Sequence, residues 1–134
     1  MASAVRLIRS DVLSDAAQYA YASTVPAGTR LVFLAGACPL APDGSTVAVG
    51  DYAGQAARCI ETMQEALRAA GASIEDVVST RVLVASSRQA DLVTAWQVVR
   101  DAFGTHDVPS TLLGYDDQLV EIEAVAAVAD GQPT

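Results

Sequence analysis

The residues best suited to chemistry lie near the C-terminal end, in Leu119-Val120-Glu121-Ile122-Glu123-Ala124-Val125-Ala126-Ala127-Val128. Strand residues alternate faces, so Leu119, Glu121, Glu123 and Val125 share one side, and Val120, Ile122 and Ala124 share the other. The second side is apolar and should meet the protein's own core. The first carries two carboxylates about 7 Å apart along the strand. That is either a solvated face or a polar face turned into a site or a subunit contact, and composition does not choose between them. Other reactive residues are few. Cys38 and Cys59 do not form a metal-binding spacing, and His106 is the sole histidine, so no metal is expected. A Ser-His-Asp triad would have to use His106, and nothing around Ser45 or Ser110 supports one.

The chain that positions these residues has 134 residues, which predicts one domain, residues 1–134, with a core large enough to need no staples. It is 51% hydrophobic and 18% charged, a globular balance. No apolar run is long enough to span a membrane, and Arg6 and Arg9 are followed by polar Ser10 and Asp11, not by a signal-like apolar stretch. The expectation is a cytoplasmic protein without a membrane partner. Net charge is −8 and all eight basic residues are scattered arginines, which argues against a nucleic-acid partner.

Val5 to Ile8 and Tyr19 to Ser23 read as short extended segments. Leu31 to Ala35 is a continuous apolar run closed by Gly36, too short for a helix, and reads as a buried strand. Pro39, Pro42 and Asp43-Gly44 mark a loop and turn, with Thr46 to Val49 as a short return strand. Asp51 opens a first helix whose stripe is Ala53, Ala56, Ala57, Ile60, Met63, Gln64, Leu67 and Ala70, ended by Gly71. Ser73-Ile74-Glu75-Asp76 is a capped turn. Val77 to Ala85 is a long strand. Ser86 or Ser87 caps a second helix with the stripe Leu92, Ala95, Trp96, Val99, Ala102 and Phe103, where Trp96 reads as a packing anchor. Gly104 ends that helix. Pro109 precedes a strand from Ser110 to Tyr115, the Asp116-Asp117-Gln118 turn leads into the closing strand, and Asp130 to Thr134 is a polar tail. The order predicts an α+β fold: one mixed sheet with two helices packed on one face. The other sheet face needs a cover, and another subunit is the economical one.

These pieces, in this order, resemble the YjgF/Rid family, also labelled RidA or L-PSP endoribonuclease. The likeness is carried by Phe33-Leu34-Ala35-Gly36-Ala37-Cys38-Pro39, Asp43-Gly44, Gln55, Ala69-Ala70-Gly71-Ala72-Ser73-Ile74-Glu75-Asp76-Val77-Val78, Pro109, and Leu119 to Ala126. The resemblance implies a chorismate-mutase-like fold in a homotrimer, with small-molecule sites in clefts between subunits. It also implies cofactor-free hydrolysis of reactive enamines and imines, such as 2-aminoacrylate, to a 2-keto acid and ammonia. By the same likeness Glu121 matches the water-orienting glutamate, Tyr19 a pocket-lining tyrosine, and Gly36, with Ala37 and Cys38 after it, the strand-end glycine by the pocket. Gln97 lies near a polar family position on the second helix.

One departure bears on function. Deaminase members read Pro-x-Arg where this chain reads Pro109-Ser110-Thr111, and the family's cysteine two residues further is Leu113 here. A charge-assisted hydrogen bond is roughly twice as strong as a neutral one, so Thr111 should grip a carboxylate far more weakly than arginine. Three explanations stand open. The substrate lacks a carboxylate there; or Arg81 or Arg100 replaces the missing arginine; or the pocket binds without catalysing, as a trimeric metabolite-binding or regulatory protein. Arg81 shares a strand face with Ser79 and Leu83, where pairing with a glutamate is the simpler reading. For Cys38 the simpler reading is a buried, inert thiol.

Overall fold

The alternation of the closing segment sets the architecture. The computed structural model describes residues 3–113 and 119–129. Expectations placed on Tyr115, on Asp116 to Gln118 and on the tail from Asp130 to Thr134 lie outside the described residues. The elements are β1 (Arg6–Ile8), β2 (Ala22–Thr24), β3 (Thr29–Phe33), α1 (Tyr52–Ala69), a 3-10 turn (Ile74–Asp76), β4 (Val77–Val84), α2 (Gln89–Phe103), β5 (Ser110–Leu113) and β6 (Val120–Ala129).

The main sheet has the order β3-β6-β4-β5. β6 runs antiparallel to both β3 and β4, while β4 and β5 are parallel, as a helical crossover between β4 and β5 requires. The sheet is therefore mixed. β1 and β2 form a separate antiparallel ribbon, Arg6 opposite Thr24. Val120, Ile122, Ala124 and Ala126 of β6 and Val82 and Val84 of β4 are buried. They meet Ile60, Met63 and Leu67 of α1 and Ala95, Val99 and Phe103 of α2 in one core. Each Val, Leu, Ile, Met or Phe among them contributes about 1.5–3 kcal/mol when fully buried. Both helices lie on that one face, α1 against β6 and α2 against β4. Among the described residues no helix is long and apolar enough to cross a membrane.

Asp51 caps α1, its carboxylate accepting from the Gly54 amide at 3.0 Å. The buried stripe includes Gln55 and Cys59, whereas Ala57 and Gln64 of the expected stripe are exposed. The helix is rotated because Gln55 is held inward: its Oε1 accepts from the Leu119 amide at 3.1 Å and its Nε2 donates to the Ala48 carbonyl at 3.4 Å. A buried amide with both ends partnered costs little. The serine cap expected for α2 is absent. Arg88 precedes that helix without a side-chain cap, and Ser86 instead accepts from the Arg88 amide and donates to Asp91. Residues 46–49 form no strand, only a bridge between Leu40 and Thr46. Ala48 has φ of 51°, outside the extended region. The capped turn at Ser73 is present, with Asp76 reaching back to the Ser73 amide.

β3 departs most from expectation. Val32 packs against the core, but Leu31 is 49% and Phe33 73% exposed. β3 is a sheet edge covered by helices on one face only, so its alternate residues lie on the uncovered face.

Candidate functional site

The register places the side chains of the bare sheet face in rows. Thr111, Arg81 and Glu123 are successive Cα partners across β5, β4 and β6. Ser79, Val125 and Phe33 form the next row across β4, β6 and β3. On the other side of the first row, Leu83 faces Glu121. The segment before β2 is tied alongside. The Ala20 amide donates to the Asp107 carbonyl at 2.6 Å, Trp96 Nε1 donates to the Ala17 carbonyl at 3.0 Å, and the Ser23 hydroxyl donates to the Val78 carbonyl at 2.5 Å. Tyr19 stacks edge-on against both Trp96 and Tyr21. Trp96 is thus the packing anchor its stripe predicts.

These elements enclose an open cavity of about 700 Å³, whose lining includes Tyr19, Tyr21, Phe33, Arg81, Thr111 and Glu123. Two expected site residues, Tyr19 and Thr111, share it. Arg81 Nε pairs with Glu123 Oε2 at 3.3 Å, with both side chains about half exposed, an arrangement worth about 0–1 kcal/mol in solvent. Tyr21, Ser79, Ser110 and Glu123 are lining residues that motif matching does not single out. The alternation Tyr19-x-Tyr21 and Glu121-x-Glu123 is the signal that marks two of them.

A second group lies further along β6. Cys38 Sγ is 3.3 Å from Glu121 Oε1. A Cβ at Gly36 would stand 2.9 Å from Glu121 Cδ and closer still to Oε2. Ala37 is buried and pairs with Ile122 through both backbone bonds. Gly36, Ala37, Cys38 and Glu121 therefore come together, but Glu121 does not line the cavity that holds Tyr19 and Thr111. Gln97 is on neither group. It lines a groove with Gln18, Leu92, Trp96 and Arg100 on the helical layer, with the sheet between it and Glu121. Leu113 has its backbone in β5, and its side chain lies outside the described residues. Arg100 has its Nε buried without a partner among the described residues and lies on the helical layer, so within one chain only Arg81 of the two candidate arginines stands on the face with Thr111.

The two thiols differ. Cys59 is buried, with its Sγ directed to the Val120 carbonyl. Burial, then the charge of Cys38 and Glu121, pushes it up to about 12 from an ordinary 9.0. Cys38 is half-buried and lies against the Glu121 carboxylate, so it is not the fully enclosed thiol expected. A disulfide reagent at pH 8 should therefore titrate one cysteine in the native chain and two in guanidinium. Cys38→Ser should remove the native signal; reaction of Cys59 in the native state would contradict this. Among the described residues no cluster of His, Cys, Asp or Glu is close enough to hold a metal ion.

A family profile described as Endoribonuclease L-PSP matches residues 12–128. The chain belongs to this family, the YjgF/Rid family. A RutC family protein from Pyrococcus abyssi is 29% identical over 110 residues, covering 79% of this chain and 84% of the relative. A Rid protein of unknown function from Yersinia pestis, 24% identical, superposes with a TM-score of 0.83 over 93% of this chain and 99% of its own. A YjgF/YER057c/UK114 member from Mycobacterium tuberculosis is 27% identical, with a TM-score of 0.60 over 92% and 99%. The Rid fold is what these structures share with the chain. In this Rid protein the bare face carries two polar groups, one around Glu121 and one around Arg81 and Thr111, separated along the sheet.

Proposed function

We propose that this Rid protein hydrolyses a reactive imine, enamine or related keto-type intermediate in clefts formed where three copies meet across their bare sheet faces. The placement of Glu121 carries this reading. Its carboxylate stands on the uncovered face, in the space a side chain at position 36 would take, beside Cys38 Sγ. A carboxylate so placed orients a water and takes its proton as the oxygen attacks the imine carbon. That proton passes to nitrogen to give the carbinolamine; its hydroxyl then gives up the second proton to nitrogen as the C–N bond breaks and the C=O bond forms, and ammonia leaves. Water supplies the oxygen and no cofactor enters the balance. The exposed Phe33 and Leu31 support a covered face in the assembly. So does the separation of Glu121 from Tyr19 and Thr111, since a site using both draws them from neighbouring copies. Light scattering should give the mass of three chains; a monomer would remove the intersubunit cleft.

The family label names a ribonuclease, but a net charge of −8 and scattered arginines offer no groove for a phosphate backbone. The substrate class follows from Thr111. Freshly generated 2-aminoacrylate should be hydrolysed slowly, and imines without a carboxylate at that position faster, with ammonia release as the readout. Thr111→Arg should tighten pyruvate binding roughly tenfold by adding a charge-assisted fork. No gain would mean the pocket has diverged beyond this residue. The second reading, a trimeric protein that binds a metabolite without converting it, is favoured by the neutral Thr111 and by an Arg81 already paired with Glu123. Binding without turnover of any imine would select it.

A further inference from the structure

The Arg81–Glu123 pair says more about the ligand than the missing arginine does. We propose that Arg81 and Glu123 act together as a two-sided clamp for a ligand with a hydrogen-bond acceptor and an N–H donor side by side, an amide-type edge, and not for a bare carboxylate. This rests on the reading that the bare face holds a small molecule. The pair lines the cavity together with Tyr19, Tyr21 and Phe33. Arg81 Nε is engaged by Glu123 Oε2 at 3.3 Å, and among the described residues neither side chain has another partner. That leaves the two Nη groups of Arg81 as donors and the second carboxylate oxygen of Glu123 as an acceptor.

The rest of the row is neutral. Thr111 offers a hydroxyl, and the neighbouring Ser110 hydroxyl is already engaged by Thr80 Oγ1 at 2.6 Å and the Val108 carbonyl at 3.1 Å. The clamp therefore has no net charge. A carboxylate brought to the Nη groups meets the Glu123 charge within a few ångströms, and that repulsion offsets the attraction of Arg81. An amide edge meets no such conflict. Its carbonyl accepts from Arg81 and its N–H donates to Glu123, so both charged groups stay satisfied when the cavity is covered and water is excluded. Tyr19, Tyr21 and Phe33 supply aromatic walls for the remainder of the ligand.

Pyruvate and pyruvamide have the same skeleton and differ at this edge, so the pair makes the test. Backbone amide shifts of the full chain are followed by NMR on titration with each. Pyruvamide should bind roughly tenfold tighter than pyruvate, the size of one matched against one mismatched buried polar contact. Glu123→Gln should invert that order by freeing the charge of Arg81, and Arg81→Gln should weaken both probes. Equal or tighter binding of pyruvate to the wild-type chain overturns the proposal, and so does the absence of shifts with either probe. The wild-type comparison decides the sign even where a variant fails to fold. A chain that prefers the amide yet hydrolyses no imine refutes the catalytic reading alone. One that hydrolyses imines through Glu121 yet prefers pyruvate refutes the clamp alone.

Discussion

Glu121→Gln is expected to lower imine hydrolysis by about 10²-fold or more in kcat, the usual contribution of a positioned general base. Glutamine keeps the length and shape of the side chain and an oxygen to face Cys38, but it takes no proton from water. The substitution should therefore leave KM and thermal stability nearly unchanged, since replacing a partly exposed group of equal volume moves stability by about 0.5 kcal/mol or less. A fall in kcat with KM and melting temperature unchanged separates this from a structural effect. A rate unchanged by the substitution would remove Glu121 from the chemistry and leave the metabolite-binding reading. Ammonia release from the best imine of a panel, measured with melting curves, decides between them.

What the chain reveals before folding follows from which interactions are local. The alternation of Val120, Ile122 and Ala124 with Glu121 and Glu123 is a property of consecutive residues, and all three apolar members are buried as it predicts. The Asp51 cap and the Ser73 turn are equally local, each closing within a few residues. The serine cap of α2 and the phase of α1 were not legible for the opposite reason. Gln55 is drawn inward by Leu119, sixty-four positions away, and no helical stripe records that contact. The same holds for the site. Arg81 and the two glutamates are visible as residues, but that Arg81 stands opposite Glu123 on one side and Thr111 on the other depends on register. Register between strands so far apart in the chain is set by the whole sheet. β3 shows a different limit. Its continuous apolar run reads as burial on both faces, but in the chain only one face is covered, and Phe33 is 73% exposed.

Gly36→Ala is expected to lower the same activity by about 10²-fold, the effect of displacing a reacting group by about 1 Å. The backbone at Gly36 does not lie in the left-handed region, unlike Gly28 with φ of 87° or Gly44 with φ of 88°, so alanine carries no conformational penalty there. The nearest atoms its Cβ would meet all belong to the Glu121 side chain: Oε2, Cδ and Cγ, the last at 3.3 Å. A flexible side chain yields more readily than a backbone, so the carboxylate moves and the fold stays. Stability should change little while turnover falls. The double variant Gly36→Ala, Glu121→Gln then tests the cause. If the methyl acts only by pushing the carboxylate aside, the double variant should be no slower than Glu121→Gln alone, because two substitutions that remove one interaction do not add. Additive losses would mean that Gly36 serves the reaction by another route, such as close approach of its backbone to the ligand, and that the carboxylate is not held by this contact.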